Sequence, residues 1–544
     1  MSFFGFVLLS LVVYYPSYKY GIVTDFLSWL YRYDEGSFKD ILHCFDYPGL
    51  HQFFHLINYT AFKIVGTSHF GWYFILALFH GINGCLLLEL NKAIVKRYVA
   101  RDFNPILLFL ISFLFVLYPY NLEAVIWKAC LHYLLITMMI FYLIKTLISY
   151  FESSSTKKSF TIHILFTLCL FTLELSFAIP IFTFAFLVFD HFSGKAQVSF
   201  KKKTVQILIP QILIFISYFI LTKLSIGDYI GHYGAENHLV FTPEIVLGNS
   251  WRYFFKNLAL VHFWPFEYKE WFYAKMLSKP LFFYGLSLLA VLGFIWTCIK
   301  WKTLSSLMRL SAFNLISFFI FLAPVINLFF MWLLGYENDR YGYLSSAFFI
   351  SAFVFLCSAI RLSYLRYFLI ALYSIVLVVF FTKMMTRAQN AGEIEHRLLS
   401  SFDFEDHDGE LYILAAPDNF RGLYLFRDYT NDGLALREAL DFFQNKDVKS
   451  EMIDVAQYNH HYLMDSIKVD FIDSTTLHVG FAQYNNWFWR NGIGLSDYET
   501  EDFKVERKPG FYRLTFKEPK PDQLFIYPQA GIWATFRWPY FVNE

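Results

Sequence analysis

The sequence has little charge and little cysteine for its length of 544 residues. Lys, Arg, Asp and Glu make up 16% of the chain, and 45 basic against 44 acidic side chains leave a net charge of +1. A nearly neutral chain lacks the basic surface that binding to nucleic acid requires. The six cysteines contain no Cys-x-x-Cys pair and suggest no disulfide framework. The sequence also has no Gly-x-x-x-x-Gly-Lys-Ser/Thr loop, which argues against ATP-driven transport within this chain.

Apolar and aromatic residues are abundant instead. Phe alone contributes 67 residues, and the mean hydropathy is +0.42. A helix needs about 20 apolar residues to cross the hydrocarbon core of a bilayer. These values predict a polytopic α-helical membrane protein with about 11 spans. We place the spans at 2–18, 69–90, 103–120, 124–148, 160–173, 175–190, 204–222, 280–299, 310–334, 343–360 and 367–383.

Basic residues are unevenly divided between the two sets of connectors. One set holds 15 Lys and Arg in 52 positions, whereas the opposite set holds 11 in 119. The basic set consists of 91–102, 149–159, 191–203, 300–309 and 361–366. Because basic connectors remain in the cytoplasm, we predict a cytoplasmic N-terminus. An odd number of spans then places the polar C-terminal region outside, which corresponds to the periplasm if the membrane is a bacterial inner membrane.

Composition divides the chain near residue 385. Residues 1–385 form the predicted transmembrane domain, whose outer loops 19–68 and 223–279 mix aromatic and charged residues as interfacial helices do. A linker at 386–409 precedes residues 410–544, where short alternating runs predict strands and hairpins around a helix. We expect this last segment to be a small extracytoplasmic α+β domain.

Charged residues occupy three short turns that this topology places on the outer face. They are Glu123, Glu174 and the pair Asp339-Arg340. A charge beside hydrocarbon costs several kcal/mol, so such residues are candidates for function. A helix dipole would also favour Glu123 at a helix start. Arg340 could be the partner of Asp339, or its forked donors could hold a phosphate.

Two further charged residues are predicted near these turns. Lys128 lies about one and a half turns into the fourth span, where a lysine is costly unless it lines a wet cavity. Asp25 follows the first span on the outer face. Its carboxylate could act as a general base, or it could cap a helix that begins with the apolar run 26–30.

Other motifs carry less weight. His80, within the second span, could form a helix–helix hydrogen bond and nothing more. Asp406-His407-Asp408 matches the Asp-x-Asp that nucleotide-sugar transferases use to hold a metal, but a solvated acidic run explains it equally well. We therefore predict no metal site, and a divalent metal has no support from the sequence.

Taken in order, these residues resemble the GT-C superfamily of membrane glycosyltransferases. The likeness is to bacterial relatives of the tetratricopeptide-bearing transmembrane O-mannosyltransferases, and it covers roughly residues 1–385. Those enzymes place an acidic residue after the first span, a His-x-x-Asn in the second, and Pro-x-x-x-Glu-Ala-Val-x-Trp between the third and fourth. The matching stretches here are Thr24-Asp25-Phe26, His80-Gly-Ile-Asn83, Pro119 through Trp127, Glu174 with Pro180, and Asp339-Arg340-Tyr341-Gly-Tyr343-Leu344-Ser-Ser346.

The chain departs from the family pattern at several positions. Phe26 stands where a second acidic residue commonly follows the first. Leu131, with His132 beside it, replaces a usual arginine, and Leu173 replaces a lysine. The C-terminal region contains no 34-residue repeat. These departures leave open a different substrate or a loss of catalysis.

The resemblance implies transfer of a sugar from a polyprenyl-phosphate donor to an acceptor hydroxyl on a protein or glycan. Asp25 would be the base, and Arg340, with Lys128 or His132, would hold the donor phosphate. Glu123 and Glu174 would orient these cations or the sugar. The C-terminal domain would hold the acceptor or a protein partner. A carrier or flippase for a lipid-linked glycan, or a catalytically silent scaffold, remains the alternative.

Overall fold

The structure is a computed structural model of the whole chain. It describes residues 3–44, 49–99, 103–195, 197–229, 242–328, 338–427, 434–481, 488–489, 495–520 and 523–538. A helical part precedes a β-rich part, in agreement with the predicted order. The backbone at Asp25 is described, but its side chain lies outside the described residues.

The helical part contains helices α1 to α18. Several are interrupted by single turns of 3₁₀ or π helix, which the bounds below leave out. They are α1 Phe3–Tyr14, α2 Asp25–Glu35, α3 Phe38–Leu42, α4 Gln52–Val65, α5 His69–Tyr98, α6 Pro105–Val116, α7 Leu122–Ile126, α8 Leu131–Glu152, α9 Thr156–Leu170, α10 Ile179–Phe192, α11 Phe200–Lys203, α12 Ile209–Ile226, α13 Pro243–Ala259, α14 Phe266–Glu270, α15 Pro280–Ile299, α16 Ser306–Leu322, α17 Tyr343–Ser358 and α18 Ser363–Ser400.

Among the described residues, eight helices are long and apolar enough to cross a membrane. A ninth is present if α6 and the segment Pro119–Ile126, which meet at a bend of 45°, count as one span. The predicted first and fifth segments are also helical, but α1 has 12 residues and α9 has 15. Both are shorter than the usual minimum of about 17 for a span. The helices thus fit a membrane-embedded protein, and the count of 11 stays a prediction.

Burial differs strongly between the long helices. In the segment Asp339–Ser358, 83% of the most apolar window is buried inside the protein, whereas in Pro280–Ile299 the share is 6%. An apolar helix with so little protein contact is typical of a surface that faces lipid. The segment that carries the predicted Asp339-Arg340 pair is therefore central to the bundle, and α15 is peripheral.

A buried ionic cluster joins the helices at the predicted cytoplasmic end. The Asp190 carboxylate of α10 accepts hydrogen bonds from Arg97 Nη2 of α5 at 2.8 Å and from Tyr98 Oη at 2.7 Å. It also pairs with Lys203 of α11. All these charged groups are buried. Opposite charges satisfied in this way fix the relative positions of three helices.

The last helix, α18, connects the two parts. It contains 38 residues, so at 1.5 Å per residue it is about 57 Å long. It begins at Ser363, before the predicted last span (367–383). It ends at Ser400, within the predicted linker 386–409. It contacts the helix and several strands of the C-terminal part. The helix thus carries the β-rich part at its end.

Among the described residues, the C-terminal part contains one helix and three small sheets. The elements are β1 Glu410–Ile413, β2 Ala416–Phe420, β3 Leu423–Tyr424, α19 Leu434–Gln444, β4 Glu451–Asp454, β5 Gln457–His460, β6 Ile467–Phe471, β7 Thr476–Phe481, β8 Phe488–Trp489, β9 Tyr498–Glu499, β10 Phe503–Lys508, β11 Phe511–Phe516, β12 Leu524–Gln529 and β13 Ile532–Arg537. The sheets are β13-β12-β1-β4, β6-β7-β11-β10-β9 and β3-β2-β5-β8; the pairs β1/β12, β1/β4 and β2/β5 are parallel and the rest antiparallel.

The C-terminal part has its own apolar core and also packs on the outer loops. Its core includes the buried rings of Tyr412, Tyr512 and Phe525 between the sheets. Helix α19 lies against α2, where Ser28 Oγ donates to Glu438 Oε1 at 3.3 Å and Tyr31 donates to Asp441. The C-terminal part therefore contacts the segment that the sequence predicts to be the first outer loop.

Candidate functional site

The candidate site begins at the broken connection between α6 and α8. Pro119 starts a 3₁₀ turn, Pro119–Asn121, which is followed by the single-turn helix α7 and then by a second 3₁₀ turn. The residue before a proline is restricted to extended backbone, and Tyr118 has φ −75° and ψ 120°. Asn121 Nδ2 donates to Phe115 O at 2.9 Å, which satisfies a carbonyl at the end of α6. This irregular backbone presents Glu123 to the start of α17.

Glu123 holds Arg340 by two contacts. Its Oε2 accepts the main-chain N–H of Arg340 at 2.7 Å, and its Oε1 accepts Nη1 of the guanidinium at 2.5 Å. The guanidinium carbon lies 4.8 Å from the Trp127 ring centroid and 4.7 Å from that of Tyr341. Arg340 is therefore fixed between two aromatic rings, and its ion-pair partner is Glu123 and not the adjacent Asp339.

Asp339 pairs instead with a lysine from the second outer loop. Its buried carboxylate forms an ion pair with Lys256 of α13, and its Oδ1 lies 3.7 Å from His262 Nδ1. The Lys256 ammonium also lies 4.8 Å from the centre of the Tyr120 ring. Burial, and then the positive charge of Lys256, lowers the pKa of His262 well below 6.5, so this imidazole is neutral at pH 7.

Lys128 and Glu395 of α18 are two further buried ionisable residues of the site. Both residues are almost fully buried, and the charge of Glu395 acts on Lys128. Neither the Lys128 ammonium nor either Glu395 oxygen has a hydrogen-bond partner among the described residues. Tyr20 lies beside them: burial raises the pKa of its hydroxyl well above 10, and the Glu395 and Glu123 carboxylates raise it further. These polar groups lie apart from hydrocarbon, in the interior of the protein.

Glu174 and His132 lie on the side of the site formed by the first outer loop. Glu174 Oε1 is 3.4 Å from His51 Nε2, which precedes α4. The His132 ring packs edge-on against Phe54 at 4.6 Å and lies 6.4 Å from the Trp29 ring. His132 is also close enough to Arg340 for that charge to act on it. His132 thus has an aromatic environment at the edge of the charged cluster.

The segment before Asp25 is hydrogen-bonded to the connection between α6 and α8. Gly21 O accepts from Lys128 N–H at 2.8 Å, and Val23 O accepts from Trp127 Nε1 at 3.3 Å. Gly21 has φ +101°, and a Cβ there would lie 1.9 Å from Ile126 O, so only glycine fits. The Asp25 backbone is therefore within two residues of a segment bonded to Trp127.

The backbone at Thr24 is unusual for a β-branched residue. It has φ 55° and ψ −136°, and it precedes Asp25, the first residue of α2. Its side chain makes no capping hydrogen bond. Such conformations cost about 1–3 kcal/mol and concentrate at functional sites, where surrounding contacts maintain them. Thr24 is thus the N-cap residue by position, and α2 begins without a side-chain cap from it.

His80 lies deeper in the bundle than the charged cluster. Its Nε2 donates to Val116 O at 3.1 Å, which leaves Nδ1 to accept from the Tyr343 hydroxyl at 2.7 Å. Asn83 Nδ2 donates to the same hydroxyl at 3.2 Å and to Leu134 O at 2.9 Å. The His-x-x-Asn of α5 therefore links α6, α8 and α17. These hydrogen bonds join one helix to another, and the shared partner, Tyr343, is three residues after Arg340 in the chain.

The structure thus gathers Glu123, Arg340, Asp339, Lys128 and His132 in one region, with Glu174 at its edge. Sequence reasoning did not single out four of their partners: His51, Lys256, His262 and Glu395. The sequence pattern could have indicated two of these partners, Lys256 and Glu395. Lys256 shares a buried stripe of α13 with Asn249, Tyr253 and Asn257, and Glu395 shares one of α18 with Ala388, Ala391 and Leu398. A charge on the buried stripe of a helix indicates a partner on another element.

The site contains cations, carboxylates and aromatic rings. Within the described part of the chain, no group of three or more His, Cys, Asp or Glu is arranged to hold a metal ion. The C-terminal part reaches the rim of the site, since the Tyr424 ring lies 5.4 Å from that of Trp127. Comparison of the chain with family models, curated proteins and solved structures gave no match in any of the three.

Proposed function

We propose that this protein is a membrane glycosyltransferase that moves a sugar from a polyprenyl-phosphate donor to an acceptor hydroxyl at the outer membrane face. The observation that carries the proposal is the fixed Arg340 guanidinium, held by Glu123 and placed between Trp127 and Tyr341. An oriented guanidinium at an aromatic site suits a phosphate joined to a sugar. The acceptor is a protein or a glycan.

In the proposed reaction the acceptor oxygen attacks the anomeric carbon of the donor. A bond forms between this oxygen and the carbon as the bond from carbon to the phosphate oxygen breaks. The acceptor proton passes to Asp25, and polyprenyl phosphate leaves with the electron pair of the broken bond. Arg340 stabilises the negative charge that develops on the leaving phosphate. Lys128 and His132 would add to that stabilisation.

The surroundings of Arg340 support a role beyond folding. Its position is already determined by Glu123, which binds both its main-chain N–H and its side chain. A donor phosphate would find the guanidinium in place and would not have to order a flexible side chain. The strained backbone at Thr24 supports a role for the adjacent Asp25 in the same way.

We also propose the finer topology on which this function depends. Eleven spans, with a cytoplasmic N-terminus and a periplasmic C-terminal domain in a bacterial inner membrane, put Asp25 and Arg340 on the outer face. Lipid-linked sugars are the activated sugars available there, because soluble nucleotide sugars are cytoplasmic. The eight or nine long apolar helices support a membrane location.

One observation favours a catalytically silent scaffold as the second candidate. Phe26 occupies the position where the GT-C pattern commonly has a second acidic residue. Its side chain is fully buried and lies edge-on against Trp72, with 4.8 Å between ring centroids. A core residue at this position could not bind a substrate or a metal.

An Asp25→Asn variant separates the candidates. It keeps the size of the side chain but removes the basic carboxylate, so sugar transfer should fall by about 10²–10⁴-fold, the range typical of general base catalysis. Donor binding and thermal stability should change little. Asp34→Asn, in the same helix, serves as the matched control. Transfer that continues at the normal rate in Asp25→Asn would contradict the proposal, and normal export of a lipid-linked glycan would instead favour a carrier.

A further inference from the structure

A basic cavity lies outside the candidate site, between α18 and the C-terminal part. Its volume is about 320 Å³. One wall consists of a single face of α18, and the other consists of the turn between β2 and β3 and the residues that follow β5. The polar residues of this basic cavity are Lys383, Thr386, Arg387, Asn390, Arg421 and His461.

The wall formed by α18 is regular. Lys383, Thr386, Arg387 and Asn390 are spaced i, i+3, i+4 and i+7, so their side chains share one face of the helix. This face carries two positive charges and the Asn390 amide, which can donate hydrogen bonds, whereas the Thr386 hydroxyl already donates to Thr382 O at 3.1 Å. The spacing puts all four beside one another over about two turns.

Arg421 completes the cavity from the opposite wall. Its main chain has φ +51°, a conformation that non-glycine residues rarely adopt, and its N–H donates to His460 O at 3.0 Å. Its Nε donates to His461 O at 2.7 Å, and its guanidinium carbon lies 5.7 Å from the Tyr462 ring centroid. The arginine is therefore held in a defined orientation.

The charges in the basic cavity have the same sign. Those that act on Lys383 belong to Arg387 and Arg421. Burial, then the positive charge of Arg421, lowers the pKa of His461, and the negative charge of Asp465 partly opposes this shift. This imidazole is therefore neutral at pH 7 and remains a hydrogen-bonding group. The nearby Asp465 carboxylate accepts the main-chain N–H of His461 and of Tyr462. Convergent cations repel one another, and a bound anion relieves this repulsion.

The position of the basic cavity along the chain narrows the choice of anion. Lys383 is the last residue of the predicted span 367–383, so the predicted topology puts the cavity where the hydrocarbon ends and lipid headgroups begin. A tetrahedral phosphate accepts forked hydrogen bonds from arginine, and its remaining oxygens match the donors of Lys383 and Asn390. The volume exceeds that of a phosphate alone and leaves room for its ester substituent.

We propose that the basic cavity binds a phosphate group, either the headgroup of an anionic membrane lipid or a soluble phosphate compound. The bound phosphate would bridge α18 and the turn at Arg421, and would hold the C-terminal domain at the membrane surface. This site is separate from the candidate site for sugar transfer. It would exist whether or not the protein transfers sugar.

The test uses the full chain purified in a neutral detergent. Binding of radiolabelled dioleoyl phosphatidylglycerol, dioleoyl phosphatidylcholine and inorganic phosphate is measured for the wild type and for Arg387→Gln and Arg421→Gln. Arg397→Gln is the matched control, since Arg397 lies on the same helix, is half-exposed and pairs with Glu393. We expect each cavity variant to weaken phosphatidylglycerol binding about tenfold or more, and the control to leave it unchanged.

The outcomes distinguish the two sources of phosphate. Preference for phosphatidylglycerol identifies a lipid headgroup, whereas saturable binding of inorganic phosphate that both cavity variants lose identifies a soluble ligand. An equal loss of phosphatidylglycerol binding in Arg397→Gln and in the cavity variants would overturn the proposal. So would a wild type that binds neither phosphatidylglycerol nor inorganic phosphate. Thermal unfolding of each variant checks that it is folded. If a glutamine variant is unstable, Arg421→Lys keeps the charge and should weaken binding less than Arg387→Gln.

Discussion

Arg340 illustrates how single residues in this protein are held by distant parts of the chain. Glu123, 217 positions earlier, binds both its backbone and its side chain, and Trp127 covers one face of its guanidinium. Lys128 is different, because its ammonium has no hydrogen-bond partner among the described residues. Its interaction with Glu395 is electrostatic only. The two cations therefore differ in how precisely their donors are directed.

This difference predicts unequal effects on the donor. Arg340→Ala should weaken binding of a polyprenyl-phosphate sugar by roughly 10–100-fold, since charge-assisted hydrogen bonds contribute about 1.5–3 kcal/mol each. Lys128→Ala should weaken it less, because an ammonium lacks the forked geometry. Direct binding of labelled donor to the purified variants measures both, with Arg366→Ala on a predicted cytoplasmic connector as control. Undiminished binding by both variants would remove the phosphate assignment.

His460 provides a residue-scale prediction about pH. It is fully buried in β5, with Nδ1 3.0 Å from the Tyr458 hydroxyl, and burial lowers its pKa to about 4. The unfolded chain has a histidine pKa near 6.5 and therefore binds more protons between pH 4 and 6.5. The free energy of unfolding should fall as the pH falls through this window.

Denaturant unfolding of the C-terminal part, followed in the full chain from pH 7 to pH 4, measures this effect. His460→Gln should flatten the dependence on pH, because the titrating group is absent. His478→Gln is the control and should flatten it less, since His478 is only half-buried. An unchanged slope in His460→Gln would show that other groups determine the acid sensitivity.

At the scale of elements, helices α2 and α19 decide how the two parts of the chain meet. Helix α2 begins at Asp25, and its Ser28 and Tyr31 bond to Glu438 and Asp441 of α19. Such exposed contacts contribute about 0.5–1.5 kcal/mol each. The C-terminal part thereby lies beside the segment that carries the proposed base.

A cysteine pair tests this arrangement. Ser28 Oγ and Glu438 Oε1 are 3.3 Å apart, so a short bis-methanethiosulfonate cross-linker should join Ser28→Cys to Glu438→Cys in a background without the six native cysteines. Loss of the cross-link after reduction, seen by a shift in gel mobility, identifies the bond. Ser28→Cys with Asp470→Cys, on a distant strand, should give no cross-link. Failure of the first pair to react would contradict the docking of α19 on α2.

At the scale of the whole molecule, topology determines whether the charged turns share one side. The basic bias of 15 residues in 52 positions against 11 in 119 predicts a C-terminal domain outside the cytoplasm. A reporter that is active only outside the cytoplasm, fused after Glu544, should therefore be active. A fusion at Arg361, on a predicted cytoplasmic connector, is the control and should be silent. The reverse result would remove the basis for placing Asp25 and Arg340 on the outer face.

Apolar run length and local periodicity are properties of contiguous residues, so the sequence by itself determined where most long helices lie and where the β-rich part begins. It also pointed to Glu123, Lys128, Asp339 and Arg340, because a charge within an apolar segment is costly wherever the chain folds. It left open whether Arg340 pairs with Asp339.

Only the tertiary structure decided the partners. Arg340 pairs with Glu123, Asp339 with Lys256, and Lys128 faces Glu395 across more than 260 positions. The basic cavity likewise joins α18 to a turn at Arg421. Contacts between residues so far apart depend on how the helices pack and where the C-terminal domain docks, and neither is encoded in the local spacing of residue types.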